Sequence, residues 1–193
     1  MIFKTKRARM CRTGGEVAEF FNVRILRPEE APALVALRRE ALESCPQAFA
    51  SSLDDDRGLS IEYMQEAMSK TAQMTVFGLF DGGTLTGMTG LFREPKSKAC
   101  HKAHIWGMYV RPGVRRRGGG MRLLNAAIDH ARSWSGVVQV HLSVSESARA
   151  AQALYQRAGF VEWGREPRAL RWQGEFLDER HLVLDLCPDE TPA

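Results

Sequence analysis

The sequence predicts one α/β domain, and three features carry that prediction. Segments with strand-like and helix-like patterns alternate from Asn22 onward, with no internal repeat or low-complexity stretch. The chain has 193 residues, enough for one well-buried core and short for two. Hydrophobic residues make up 44% and charged residues 26%, the composition of an ordinary globular protein.

The elements follow in order. A first strand is expected at residues 23–26. Pro28 and Pro32 bracket the start of a helix in which Leu34, Leu37, Ala41 and Leu42 recur at helical spacing, and Pro46 ends it. After a polar loop, Ser60 is placed to cap a second helix with Ile61, Met64 and Met68 on one face. Residues 75–80 and 85–92 flank Asp81-Gly82-Gly83-Thr84, a hairpin signal. A polar loop precedes a strand at 103–110, which Arg111-Pro112-Gly113 breaks.

Three consecutive glycines, Gly118 to Gly120, lead into a helix with Met121, Leu124, Ile128 and Ala131 on one face. Residues 137–144 form a β-branched strand expected at the centre of the sheet. Residues 147–158 read as a helix, with Ala151, Leu154, Tyr155 and Ala158 at helical spacing and Gly159 as its stop. Two short strands at 161–163 and 168–172, a turn at Gln173-Gly174, and a last strand at 181–186 complete the domain.

The formal net charge of +4 is unevenly spread. Lys4, Lys6, Arg7, Arg9 and Arg12 crowd the first twelve residues, and removing those five of the 27 basic residues leaves 22 against 23 acidic ones. That segment is expected to be a solvated terminus, with nucleic-acid binding the less favoured reading. The expected division is a disordered extension over 1–21, one folded domain over 22–187 and a tail over 188–193. No apolar run approaches the roughly 18 to 20 residues of a spanning helix, and the N-terminus lacks the apolar stretch of a secretory signal. Cys11, Cys45, Cys100 and Cys187 lie far apart without C-x-x-C spacing. A cytoplasmic protein is expected, without a membrane partner, a metal site or a disulfide framework.

The chemistry concentrates at Arg115-Arg116-Arg117-Gly118-Gly119-Gly120, after a strand and at the head of a helix. Glycines let the backbone turn sharply and approach a ligand, because no Cβ intervenes. The first amides of the helix carry partial positive charge and lack intrahelical acceptors. Such an end binds phosphate, and adjacent arginines add full charges. A flexible loop and a solvated basic patch are competing readings of the same residues. No Walker G-K-[ST] follows, and three consecutive glycines do not match G-x-G-x-x-G.

The stretch resembles motif A of the GNAT acetyltransferase superfamily, [QR]-x-x-G-x-[GA], preceded here by Met108-Tyr109-Val110-Arg111-Pro112. Leu154-Tyr155 followed by Gly159-Phe160 resembles motif B. Gln47-Ala48-Phe49-Ala50-Ser51-Ser52 is similar to the family's two-helix cover, and the resemblance spans about residues 22–187.

The resemblance implies a mixed, mostly antiparallel sheet splayed in the middle and flanked by about four helices. It implies acetyl-CoA as co-substrate, with main-chain groups of Met108, Tyr109 and Val110 along its arm. Arg115, Arg116, Arg117, Gly118, Gly119, Gly120 and Met121 would lie at its pyrophosphate. It implies direct transfer to an amine, with Tyr155 as the proton donor near the thioester sulfur; a tyrosine that merely packs in the core is the competing reading. His104 occupies the strand position where several members place a glutamate as general base, and a plain strand histidine is the competing reading there. His101 is a weaker candidate, and His130, His141 and His181 carry no separate argument.

The family often has Asn where this chain has Ala148, and Ser147 is the neighbouring substitute. Asp54-Asp55-Asp56 is either a solvated loop or an attractor for a cationic acceptor. The leading expectation is an N-acetyltransferase for a small-molecule amine or amino acid. Alternatives are a protein acetyltransferase and a non-catalytic acyl-CoA sensor. The family's frequent dimers make a homodimer a possible assembly.

Overall fold

The computed structural model describes residues 21–70 and 72–187. The expected extension and tail lie outside them, apart from Phe21. That residue was assigned to the extension, yet it is 6% exposed and belongs to the core. Its ring lies beside Gly119 and under the Arg117 guanidinium, and burying an aromatic outweighs its position at the domain edge.

Seven strands form one sheet: β1 (Asn22–Ile25), β2 (Met74–Asp81), β3 (Thr84–Arg93), β4 (Lys102–Val110), β5 (Gln139–Ser145), β6 (Val161–Trp172) and β7 (Glu175–Asp185), ordered β1-β2-β3-β4-β5-β7-β6. Every pairing is antiparallel except β4 with β5. The helices are α1 (Ala31–Ser44), α2 (Ile61–Ser69), α3 (Gly119–Ser133) and α4 (Arg149–Arg157). The architecture is therefore the mixed, mostly antiparallel sheet with four helices that the sequence led us to expect.

Two apolar layers hold the sheet from opposite sides. On one face, α3 buries Leu123, Leu124, Ala127, Ile128 and Ala131 against Leu79, Leu91, Ile105 and Val140. On the other, α1 and α2 bury Leu34, Leu37, Met64 and Met68 against Val76, Met88 and Tyr109. Each such leucine contributes roughly 1.5 to 3 kcal/mol by leaving water. Ser60 caps α2 as expected, its hydroxyl accepting from the Tyr63 N–H at 3.1 Å. Ile61, expected on the buried face of α2, is 36% exposed because it stands in the first turn, outside the layer that Met64 and Met68 enter.

Two expectations need correction. The segments 161–163 and 168–172 are one strand, β6, interrupted by register shifts between Glu162 and Gly164 and between Glu166 and Leu170. Pro167 is accommodated because β6 is the sheet edge, where a missing N–H and a bulge cost little. Strand β7 starts at Glu175 rather than near 181, since pairing with β6 across the Gln173-Gly174 turn extends a segment that side-chain alternation alone leaves unmarked.

The feature that positions the site is a parting of β4 from β5. They pair only through Lys102, Ala103 and His104. Beyond His104, β4 is diverted by an irregularity: Gly90 pairs with Trp106 but Met88 pairs with Tyr109, so one extra residue stands on β4. Gly107 sits in that bulge at φ 64, a conformation costly for residues with a Cβ. The bulge also shifts the alternation, so that Met108 and Val110 join the α3-side core while Tyr109 joins the other.

Candidate active site

The opening between β4 and β5 is a narrow slot of about 80 Å³, lined by Trp106, Gly107, Met108, Ser143, Ala148, Ala151 and Tyr155 among others. It adjoins a cavity of about 1150 Å³ that lies under α1, α2 and their connection and over β4 to β7. Trp106, Gly107 and Ser143 line both spaces, so the slot opens into the cavity there.

The glycine turn follows β4, at the head of α3. Gly118 precedes α3 with φ 83 and has open space where a Cβ would project. Its carbonyl accepts the Arg122 N–H at 3.1 Å, which leaves the N–H groups of Gly119, Gly120 and Met121 without helix acceptors. The glycines differ in what they permit. A Cβ on Gly119 would sit 2.6 Å from Leu79 Cδ2, so that position serves packing. A Cβ on Gly120 would make only ordinary contact with Leu154, at 3.5 Å, so the fold leaves that position open to a side chain.

The three arginines are not equivalent. Arg117 pairs with Asp81 at 3.0 Å and covers the Phe21 ring. Arg115 donates through Nε to the Val110 carbonyl at 2.7 Å and leans over Tyr109. Arg116 is exposed, at φ 62. Full cationic charge toward an anion at the turn therefore rests chiefly on Arg116, beside the partial charge of the helix end, and less on the cluster than its composition suggests.

Main-chain direction supports a ligand strand in the slot. Arg111 donates to the Thr86 carbonyl and Tyr109 pairs with Met88, so β4 turns those residues toward β3. By alternation Met108 and Val110 present their N–H and C=O groups to the parted edge. The Val110 carbonyl, already accepting from Arg115, keeps one lone pair. Tyr109 contributes differently: its hydroxyl donates to Glu40 at 3.1 Å and lies 3.1 Å from Ser44 Oγ, tying β4 to α1.

Tyr155 lies in the slot wall, 5% exposed, with its ring edge-on to Phe160. Burial pushes its phenol well above the usual range, so the proton stays on through neutral pH. Ser147 does not line the slot. Its hydroxyl is 2.9 Å from the buried Ser145 Oγ, which needs a partner, and Ala148 and Ala151 face the slot instead.

His104 lines the cavity, stacked between Phe92 and His141 at centroid distances of 4.9 and 5.4 Å. Its Nε2 lies 3.2 Å from Glu94 Oε1, out of line for a hydrogen bond and shielded from solvent. Burial holds this imidazole below its usual range, against the pull of Glu94. His141 is lowered further, to about 4, by burial and then by His104. Both rings are neutral at pH 7.

Sequence reasoning missed His141 and His181, which line the same cavity with Ser143, Trp163 and Glu179. A signal was present: Gln139, His141 and Ser143 alternate with Val140, Leu142 and Val144, a polar face on a central strand. That β7 sets His181 beside them required the strand order. His130 is structural, its Nε2 3.0 Å from Thr75 Oγ1 and its ring against Phe77 and Trp134. His101 uses its carbonyl to accept from Val138 and Gln139. In the acidic cluster, Asp56 is buried with Arg38 and Asp55 accepts from the Ser52 N–H at 2.6 Å, so two of the three carboxylates are committed to the fold. Among the described residues no group of three or more His, Cys, Asp or Glu is arranged to hold a metal ion.

Comparison with known proteins agrees with this geometry. The model of the acetyltransferase (GNAT) family matches residues 34–160. A GNAT-family acetyltransferase structure from Streptococcus pneumoniae is 22% identical with a TM-score of 0.76, covering 86% of this chain and 99% of its own. The structure of yncA from Salmonella typhimurium, solved with its cofactor acetyl-CoA, is 20% identical with a TM-score of 0.76, covering 90% and 98%. A ribosomal-protein-alanine N-acetyltransferase from Brucella melitensis is 22% identical with a TM-score of 0.70, covering 86% and 99%. No curated protein sequence matches. The parted sheet, the glycine turn at the head of α3 and the match over most of the domain place this chain in the GNAT acetyltransferase family, as an acyltransferase.

Proposed function

We propose that the chain transfers an acetyl group from acetyl-CoA to a primary amine of a small molecule or amino acid. The observation that carries this reading is the narrow slot between β4 and β5, which has Tyr155 in its wall and opens into the large cavity. The residues present fit the co-substrate. The N–H groups of Gly118 to Met121 and the exposed Arg116 would hold its pyrophosphate, and Met108 and Val110 would pair with its arm. When bound, acetyl-CoA supplies the activated thioester.

Tyr155 holds a proton at neutral pH and is suited to donate it to the departing sulfur, while a main-chain N–H near Met108 offsets charge on the thioester oxygen. An alkylammonium, pKa near ~10, must lose its proton before it attacks. His104 is neutral and in the cavity wall, but its Nε2 is buried against Glu94 without a hydrogen bond, which makes it a poor candidate to take that proton. Three free cysteines and no membrane-spanning helix among the described residues fit a cytoplasmic location.

A cavity of about 1150 Å³ exceeds the needs of a small amine, which favours a peptide α-amine as the second reading. Release of CoA thiol from acetyl-CoA across a panel of amines, amino acids and peptides tests both. Turnover concentrated in one class assigns the acceptor. Tight acetyl-CoA binding without turnover on any member would replace the enzyme reading with a sensor.

A further inference from the structure

Ser143, His181 and Glu166 stand on adjacent strands, β5, β7 and β6, and form one hydrogen-bonded chain, with Ser143 and His181 on the cavity wall and Glu166 exposed behind them. The Ser143 hydroxyl lies 2.8 Å from His181 Nδ1, and His181 Nε2 lies 3.2 Å from Glu166 Oε2. Register enforces the first contact, since Ser143 pairs with His181 across β5 and β7. Trp163 packs against the imidazole with centroids 5.5 Å apart and limits its rotation. A carboxylate only accepts, so His181 Nε2–H donates to Glu166 and Nδ1 is left to accept from the serine O–H. Ser143 lines both the slot and the cavity, so it stands where an acceptor nitrogen would meet the slot.

Resting on the acetyl-transfer reading above, we infer that Ser143 and His181 together remove the proton from the acceptor's ammonium group, with Glu166 as a positioning residue. The ammonium N–H passes its proton to Ser143 Oγ as the serine O–H passes its own to His181 Nδ1. The result is a neutral amine, an intact serine and an imidazolium facing Glu166. The amine nitrogen then bonds to the acetyl carbon, and the carbon–sulfur bond breaks with its electron pair on sulfur. The departing thiolate gains a proton from Tyr155, which recovers one from the nitrogen. The proton held by His181 returns to solvent, so each turnover releases one proton.

Other titratable or charged groups face His181 as well. They share the cavity wall with it: His141 on β5, Glu179 on its own strand, His104 on β4, Arg93 on β3, and, on the helical cover, Arg38, Asp55, Asp56, Arg57, Glu66 and Lys70. None of these is hydrogen-bonded to the ring in the way Ser143 and Glu166 are. This arrangement also explains why a serine suffices at the mouth of the slot, where a lone hydroxyl could not hold a proton.

Nitrogen-15 NMR of histidine side chains in the full chain reads the tautomer without any acceptor. The Nε2–H form of His181 is expected, and it should give way to a mixture in Glu166→Gln. An Nδ1–H tautomer in the native chain overturns the relay. The amine panel supplies the second reading. His181→Ala should lower kcat about 100-fold, and Ser143→Ala at least 10-fold, with loss of the acid limb of the pH–rate profile in both. Circular dichroism checks that each variant is folded. An unchanged acid limb in folded His181→Ala overturns the relay while leaving acetyl transfer standing. A native chain silent with every amine overturns acetyl transfer and the base role with it.

Discussion

The glycine turn at the head of α3 and the cavity over β5 to β7 are built by different means. The turn is a backbone device: Gly118 at φ 83, unpaired helix amides, and few side chains free to reach a ligand. It consists of neighbours in sequence and asks little of the rest of the fold. The cavity is a side-chain device whose wall gathers His104, His141, Ser143, His181 and Trp163 from four strands. Its chemistry depends on register, because a slip of one residue would turn every one of these groups to the opposite face. A local backbone site tolerates change in the sheet, whereas the composite wall tolerates little.

Four perturbations sharpen that contrast. The largest effect is expected from Arg38→Ala, on the helical cover of the cavity. Arg38 and Asp56 form an ion pair with side chains only 7% and 6% exposed. Removing one partner strands a buried charge and should cost roughly 3 to 5 kcal/mol, lowering the melting temperature by about 10 °C. A smaller loss than about 1 kcal/mol would mean the cover is dispensable to the fold. Next, Tyr155→Phe should reduce kcat about 100-fold while leaving KM for acetyl-CoA near its native value. Full activity in steady-state assays would reduce the tyrosine to packing.

Third, Gly118→Val tests the backbone site. A β-branched residue at positive φ costs roughly 1 to 2 kcal/mol, so acetyl-CoA affinity should fall about 10- to 30-fold in calorimetry. Unchanged affinity would move the pyrophosphate site elsewhere. The smallest effect concerns pH and the composite wall. His141 is depressed to about 4 when folded and near 6.5 when unfolded. The unfolded chain then binds the proton first, so this stabilisation is complete above about pH 6.5 and is lost as pH falls toward 4. Urea midpoints between pH 7.5 and 4 should fall in the native chain and fall less in His141→Gln. Equal slopes would place the lost stability in other groups.

Legibility followed the same division. The α/β class, the hairpin at Gly82-Gly83, the Ser60 cap and the glycine turn were readable because each depends on residues within a few positions of one another. Motifs A and B supplied the family and pointed to Tyr155 in the slot wall. His104 was found by counting along one strand, but its sandwich between Phe92 and His141 and its closed Nε2 arise across strands. Ser147 was a reasonable substitute for the missing Asn by adjacency, and the buried Ser145 claimed its hydroxyl instead. The continuous β6 was unreadable because Pro167 is a breaker in isolation and harmless at a sheet edge.

By itself, the sequence determined the α/β class, the four helices, the strands up to β5, and that a helix start with three glycines follows β4. Periodicity and turn chemistry act over short distances, so one chain suffices to read them. Only the tertiary structure decided that β4 leaves β5 after His104, that Arg117 turns to Asp81, and that Ser143, His181 and Glu166 meet. These follow from strand order and register, which are set by how the whole apolar surface is buried rather than by any stretch of neighbouring residues.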